Sequence, residues 1–236
     1  MPRQLSTNLE DLEISKLKEI VETKGRILPP KGEWELFRFE IGSYIGIVYS
    51  SGRVVYHEPL SEIIELALCE KEGIDIGSDE AGKGESTGPI VVAAVALDQE
   101  ARRYLRARGL LESKSLPLSR LEETSLMIMR KAKAWNVKVI HPEMLKRLWR
   151  RGNLNELLAS WHREVIQRTV EVVRPKRIIV DSFDDKRLRE ELKELESIAE
   201  LIIKPKADLT YTSVAAASVL ARYHRERESI GGTKWN

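Results

Sequence analysis

The chain has a single cysteine, Cys69, among its 236 residues, and one thiol cannot close an intramolecular bridge, so a disulfide-stapled scaffold is excluded. Long apolar runs are also missing. The longest, Pro89 to Leu97, falls well short of the roughly 20 residues that a membrane-crossing helix needs. The opening Met-Pro-Arg-Gln-Leu-Ser lacks the apolar stretch of a signal peptide. A cytoplasmic protein with no membrane contact is therefore expected. Neither sign of charge is in excess: 39 Lys and Arg face 37 Asp and Glu, a balance that neither demands nor forbids a polyanionic partner and leaves the decision to where the charges lie. No segment repeats at a fixed period and none is of low complexity.

What is present is an ordinary globular composition, 42% hydrophobic, enough to bury a core without staples or structural metal. Leu9, Leu12, Leu17, Ile20 and Val21 recur at helical spacing among charges. Pro29-Pro30-Lys31-Gly32 breaks that pattern. Three runs rich in aromatic and β-branched residues follow, Trp34–Ile41, Tyr44–Tyr49 and Arg53–His57, divided by turn residues, and Leu60–Lys71 returns to helical periodicity. Residues 1–72 are thus expected to form a small α+β domain, with the boundary near Gly73. Its alternating aromatics, Trp34, Phe37, Phe39, Tyr44, Tyr49 and Tyr56, are expected to fill a small core rather than to stack on a ligand. Lys16, Lys18, Lys24, Arg26 and Arg53 are its candidate contacts to a polyanion.

Residues 73–236 read differently. Ile74–Asp79 and Pro89–Leu97 are apolar strands joined by the glycine-rich stretch Ala81–Gly88, and the second is apolar enough to be buried on both faces. Val137–Ile140, Ile178–Asp181 and Leu201–Lys204 supply three more strands. Helices are expected at about 142–150, 154–173 and 210–227, the last alanine-rich. Strands alternating with helices predict an α/β domain with a mixed five-stranded sheet.

The acids of this second domain sit where elements end. Asp79 and Glu80 close the first strand, Asp181 closes Arg177-Ile-Ile-Val-Asp181, and Asp208 follows Lys204-Pro205-Lys206-Ala207 just before a helix. Strand ends are where α/β sheets keep their chemistry. Taken singly, each aspartate is as well suited to capping a turn or a helix, and Asp79 and Glu80, as neighbours on a strand, point to opposite faces unless the strand twists at its end. Taken together, four carboxylates repel one another unless cations share the site. Divalent ions with oxygen ligands suit them, and two such ions suit phosphodiester hydrolysis.

The run Gly77-Ser-Asp-Glu-Ala-Gly-Lys-Gly84 with Gly88-Pro89 resembles the signature of type 2 ribonucleases H. The resemblance continues in order through Glu112-Ser113-Lys114, Asn153–Leu158, Val180-Asp-Ser-Phe183, Lys206-Ala-Asp208 and Ala215–Arg222. Within that family the likeness is closer to ribonuclease HIII, with some ribonuclease HII-like features, and residues 1–72 resemble its TATA-box-binding-protein-like substrate-binding domain. The resemblance implies a ribonuclease H-like fold over 73–236 and an endonuclease that cuts the RNA strand of RNA–DNA hybrids. It also implies two Mg2+ or Mn2+ ions held by the catalytic acids Asp79, Glu80, Asp181 and Asp208. Gly82, Lys83, Gly84, Ser113, Lys114 and Lys206 are the implied substrate contacts, and a monomer is expected. A DNA nuclease of related fold, or a non-catalytic nucleic-acid-binding protein, stands as the alternative.

Three positions depart from the pattern: Asp208 where ribonuclease HIII carries glutamate, Glu112 where the family carries aspartate, and Lys83 between the two glycines. The last two bear on phosphate contact. The chain ends at Asn236, before the C-terminal tyrosine with which ribonuclease HII reads an RNA–DNA junction, so no strict preference for a single ribonucleotide is expected. Gly82 and Gly84 permit positive φ and close backbone approach to a phosphate, and their main-chain groups can meet a 2′-hydroxyl. Lys204, Arg222 and Arg225 could add attraction for phosphates. His141, His162 and His224 have no Cys or His partners at zinc spacing and are expected to be ordinary surface or half-buried histidines.

Overall fold

A computed structural model describes residues 2–85, 87–111, 117–149 and 153–231. The chain divides into two compact units, Met1–Lys71 with Arg102–Glu112, and Glu72–Ala101 with Ser113–Asn236.

In the first unit, β1 (Gln4–Asn8) leads into α1 (Asp11–Lys24), and β2 (Arg26–Leu28), β3 (Glu35–Ile41), β4 (Tyr44–Tyr49) and β5 (Arg53–His57) precede α2 (Ser61–Ala67). The strands form one antiparallel sheet in the order β1-β5-β4-β3-β2. Alternation along each strand buries Leu5, Phe37, Phe39, Val48, Val54 and Tyr56 with Leu17, Val21 and Ile64 of the helices. The expected three-stranded meander gains β1 and β2 at its two edges. This unit is also discontinuous: Arg106 makes a two-pronged pair with the buried Glu13, at 2.9 and 2.8 Å, and the Tyr56 hydroxyl donates to the Ala107 carbonyl at 2.6 Å.

In the second unit, β6 (Asp75–Ala81), β7 (Ile90–Leu97), α4 (Leu118–Lys131) and β8 (Ala134–Ile140) come first, while α3 (Gln99–Arg106) begins in this unit and continues into the segment Arg102–Glu112 of the first. After them run α5 (Pro142–Trp149), α6 (Leu154–Val170), β9 (Arg177–Asp181), α7 (Asp185–Leu192), β10 (Glu200–Lys204) and α8 (Thr212–Gly231). The sheet order is β10-β9-β6-β7-β8. β9 runs parallel to β6 and to β10, while β7 is antiparallel to β6 and β8. The mixed five-stranded α/β sheet expected from the sequence is thus the one present.

Two layers of helix cover this sheet. On one face Ile76, Ile178, Val180, Val92 and Ala94 pack with Leu158, Trp161, Val165 and Ile166 of α6 and Leu188 and Leu192 of α7. On the other face Ile179 meets Ala207 and Val214 at the start of α8. The buried Ala215, Ala216, Ala217 and Ala221 let that helix approach closely. Gly77 shows how closely: a Cβ there would lie 2.1 Å from the Ser213 carbonyl carbon. No helix among the described residues is long and apolar enough to cross a membrane.

Candidate active site

Sheet register sets two of the predicted acids, Asp79 and Asp181, side by side. The parallel ladder between β6 and β9 ends at Ser78 opposite Val180, so the next residues on the two strands are Asp79 and Asp181. One strand over, Asp181 is in register with Lys204, and the chain from there makes a short 3-10 turn, Ala207–Leu209, that carries Asp208. The Ala207 N–H donates to Asp181 Oδ1 at 3.2 Å, which fixes this turn against the strand end. Lys206, at φ 57°, is the one non-glycine residue with positive φ among those described, and lies at the sharp entry to the turn.

Parity along β6 gives Asp79 and Glu80 different neighbours. Asp79 shares the α8 face with Gly77, and its carboxyl group hydrogen-bonds Ser218 of α8 and accepts from the Glu80 N–H at 2.8 Å. Glu80 shares the opposite face with Ser78, beneath α6. Both nonetheless line one open cleft of about 380 Å³, because the strand ends there. Gly82, Lys83 and Asp181 line the same cleft, with Ser182, Phe183, Pro205 and Lys206.

The electrostatics record the crowding. Burial, followed by the Glu80 charge, pushes Asp79 well above the ordinary carboxylate range, with the Ser218 hydroxyl opposing and Asp181 adding to the rise. Burial also raises Asp181; the Ala207 N–H opposes, and the Asp208 and Glu80 charges add to the shift. Burial lowers Lys83, with Glu80 as the main opposing influence. These couplings join all four acids in one network. Among the described residues, no three His, Cys, Asp or Glu side chains already stand in metal-ligating geometry; Glu80 is turned instead toward His162 and Lys83.

The glycine turn has the geometry expected of it, with Gly82 at φ 94° and Gly84 at φ 84°. A Cβ at Gly82 would meet the Pro89 carbonyl at 2.5 Å and the Arg225 side chain at 2.7 Å. Arg225 pins the turn from α8, donating to Glu85 Oε2 at 2.6 Å and to the Thr87 carbonyl at 3.0 Å. It is buried and committed to the loop, not presented as a phosphate contact. Lys83 lies 3.9 Å from Glu80 Oε1 and 3.8 Å from the centre of the Phe183 ring. Ser113 and Lys114, with Glu112, lie outside the described residues.

One residue of the site goes against its sequence expectation. His162 is fully buried, not a surface or half-buried histidine, and its Nε2 stands 3.1 Å from Glu80 Oε2. A signal for this exists in α6, where Leu158, His162, Val165, Ile166 and Thr169 fall on one buried stripe. A polar side chain at the centre of such a stripe needs a buried partner. Phe183, 5.6 Å from the His162 ring, and Ser218 complete the surroundings that spacing in the sequence did not single out.

A sheet of this order with acids at its parallel strand ends is a ribonuclease H fold, and solved structures agree. The Archaeoglobus fulgidus chain from a PCNA:RNase HII complex is 37% identical, with TM-score 0.59 over 66% of this chain and 74% of that one. Bst-RNase HIII in complex with Mn2+ matches at TM-score 0.61 over 97% of this chain and 82% of that one; at 23% identity this likeness speaks for the fold alone. Among curated proteins, the ribonuclease HII of A. fulgidus is 40% identical over 154 residues, 64% of this chain and 71% of that protein. That of Methanothermobacter thermautotrophicus is 35% identical over 155 residues, 65% and 73% respectively. The family model Ribonuclease HII matches residues 76–234. The chain belongs to the ribonuclease HII family, and with it to the type 2 ribonucleases H. It is accordingly a nuclease, a hydrolase of the phosphodiester bond.

Proposed function

We propose that this nuclease cuts the RNA strand of RNA–DNA hybrids, using two divalent ions, Mg2+ or Mn2+, held by Asp79, Glu80, Asp181 and Asp208. The observation that carries the reading is the register of β6, β9 and β10, which sets Asp79 beside Asp181 and brings Glu80 and Asp208 into the same charge network. An all-oxygen donor set in which neighbouring negative charges add to the rise that burial imposes on Asp79 and Asp181 fits hard divalent cations, which relieve that repulsion. Bound there, such ions supply an activated water and a counter-charge for the leaving oxygen.

The remaining residues hold the strand. Gly82 and Gly84 hold main-chain groups open toward a phosphate and a 2′-hydroxyl, and Lys83 and Lys206 add positive charge at the cleft wall. Ser113 and Lys114 are assigned a second backbone contact on family likeness alone. The N-terminal unit is a second grip on the hybrid. We take the working protein to be a cytoplasmic monomer.

The test is cleavage of end-labelled RNA–DNA hybrid, matched duplex DNA and a duplex with a single ribonucleotide, each with Mg2+, Mn2+ or chelator, alongside Asp79→Asn. Metal-dependent cutting of the hybrid, absent in the variant, is expected. Equal cutting of duplex DNA, or cutting in chelator, would overturn the proposal.

A further inference from the structure

His162 is completely enclosed, and an enclosed imidazole needs a partner for each ring nitrogen. Both partners belong to β6. Nδ1 lies 2.8 Å from Ser78 Oγ, whose single hydroxyl hydrogen is shared between that nitrogen and the Ala93 carbonyl on the neighbouring strand, 2.8 Å from Oγ. Nε2 lies 3.1 Å from Glu80 Oε2, and because an ionised carboxylate only accepts, the hydrogen of that contact is on Nε2. Ser78 and Glu80 point to the same face of the strand, two residues apart. One ring of α6 therefore bridges them, anchored at its far end to the sheet backbone.

The consequence falls on the orientation of Glu80. Its side chain belongs to the α6 face while Asp79 belongs to the α8 face, so Glu80 needs a fixed rotamer to present an oxygen beside Asp79 and Asp181. With Oε2 taken by His162, the carboxylate offers Oε1 toward the cleft, where the Lys83 ammonium stands 3.9 Å away. Lys83 is partly exposed, its ammonium also over the Phe183 ring, and can be displaced by a stronger cation. His162 cannot be displaced, being walled in by Phe183 on one side and the sheet on the other.

We propose that His162 is a positioning residue for the metal-binding site: through Nε2–H it fixes the Glu80 carboxylate so that one oxygen faces the cation, with Ser78 Oγ holding the ring in place. This rests on the reading of Glu80 as a metal ligand. Hydrogen-bond donors behind a ligating carboxylate set its direction and cost roughly 10–100-fold in metal affinity when removed.

The experiment is calorimetric titration of the intact protein with Mn2+ alone, without nucleic acid, for wild type, His162→Phe and His162→Gln. Steady-state cleavage and near-ultraviolet circular dichroism accompany it. Phenylalanine keeps the ring volume and removes the donor; glutamine places an amide N–H near the Nε2 position. The expected result is an Mn2+ affinity lowered about 10–100-fold in H162F and largely restored in H162Q, with the KM for hybrid little changed. Should H162F not fold, His162→Asn replaces it, since its amide stands near the Nδ1 position and falls short of Glu80. A folded H162F or H162N that binds Mn2+ as wild type does overturns the role of His162 while leaving the metal site standing. A wild-type protein that neither binds Mn2+ nor cuts the hybrid overturns the metal site itself, and this role with it.

Discussion

Asp79 and Asp181 occupy equivalent steps on adjacent parallel strands, each one residue beyond the last rung of the ladder, Ser78 opposite Val180. Two carboxylates so placed carry a cost when both are ionised. Burial, and then the Glu80 charge, raises Asp79 in the folded chain above its unfolded value of about 3.9. The native state therefore binds this proton more tightly than the unfolded chain does. Its stabilising contribution is fully present below about pH 3.9 and is lost as pH rises through the elevated folded value. Asp79→Asn, a neutral near-isostere, keeps that contribution at every pH. Metal-free D79N is expected to melt above wild type at neutral pH, by about 2–4 °C for each kcal/mol of relief, with the gap closing toward pH 4. Scanning calorimetry in chelator across that range decides it; a gap independent of pH would contradict the assignment.

Gly77 lies where α8 presses hardest on the sheet. A methyl group there would overlap the Ser213 and Val214 backbone, which cannot rotate away as a side chain can. Gly77→Ala should therefore exceed the ~1–3 kcal/mol usual for overpacking and should displace Asp79, two residues on. Chemical denaturation and cleavage assays together test this. Loss of stability with full activity would show that the strand end tolerates movement of α8.

Lys83 is shared between Glu80 and the Phe183 ring in the free protein. As a phosphate contact it would add one released counterion to binding. Lys83→Ala should reduce the slope of log affinity against log salt by about 0.9 while leaving unfolding stability nearly unchanged, since the pair with Glu80 is partly exposed. Binding of an uncleavable hybrid at several salt concentrations measures this, and an unaltered slope would remove Lys83 from the interface.

How far the sequence could be read follows from how local each signal is. β7 is legible because a strand buried on both faces is apolar throughout, and Asp181 stands out because it ends an apolar run. β1 (Gln-Leu-Ser-Thr-Asn) and β2 (Arg-Ile-Leu) carry too few apolar residues to announce themselves; pairing with β5 and β3 makes them strands. Arg102 and Arg106 give no local sign of their role, because each turns onto an acid distant in sequence, Glu70 and Glu13. His162 was hidden in the same way, its partner Glu80 lying far away in the chain but directly below it in space.

The pair formed by Arg106 and Glu13 supports the sharpest stability prediction. Glu13 is almost wholly buried, and its carboxylate receives both Arg106 amino groups, the Cys69 N–H at 2.8 Å and the Glu10 N–H at 3.0 Å. One side chain thus joins the first turn of α1, the end of α2 and the returning segment Arg102–Glu112. Removing one partner of a buried, hydrogen-bonded pair leaves the other charge without compensation, at a cost of roughly 3–5 kcal/mol. Arg106→Met is expected to destabilise the first unit by about that much, and Glu13→Gln, which keeps an acceptor for one of the two backbone N–H groups and leaves Arg106 its contacts to Glu70 and the Asn8 carbonyl, by less. The double variant E13Q/R106M should recover part of the loss, because no unpaired charge then remains. Denaturant unfolding of the three variants, followed by the fluorescence of Trp34, which belongs to that unit, completes the cycle. Additive losses would show that the two side chains act separately.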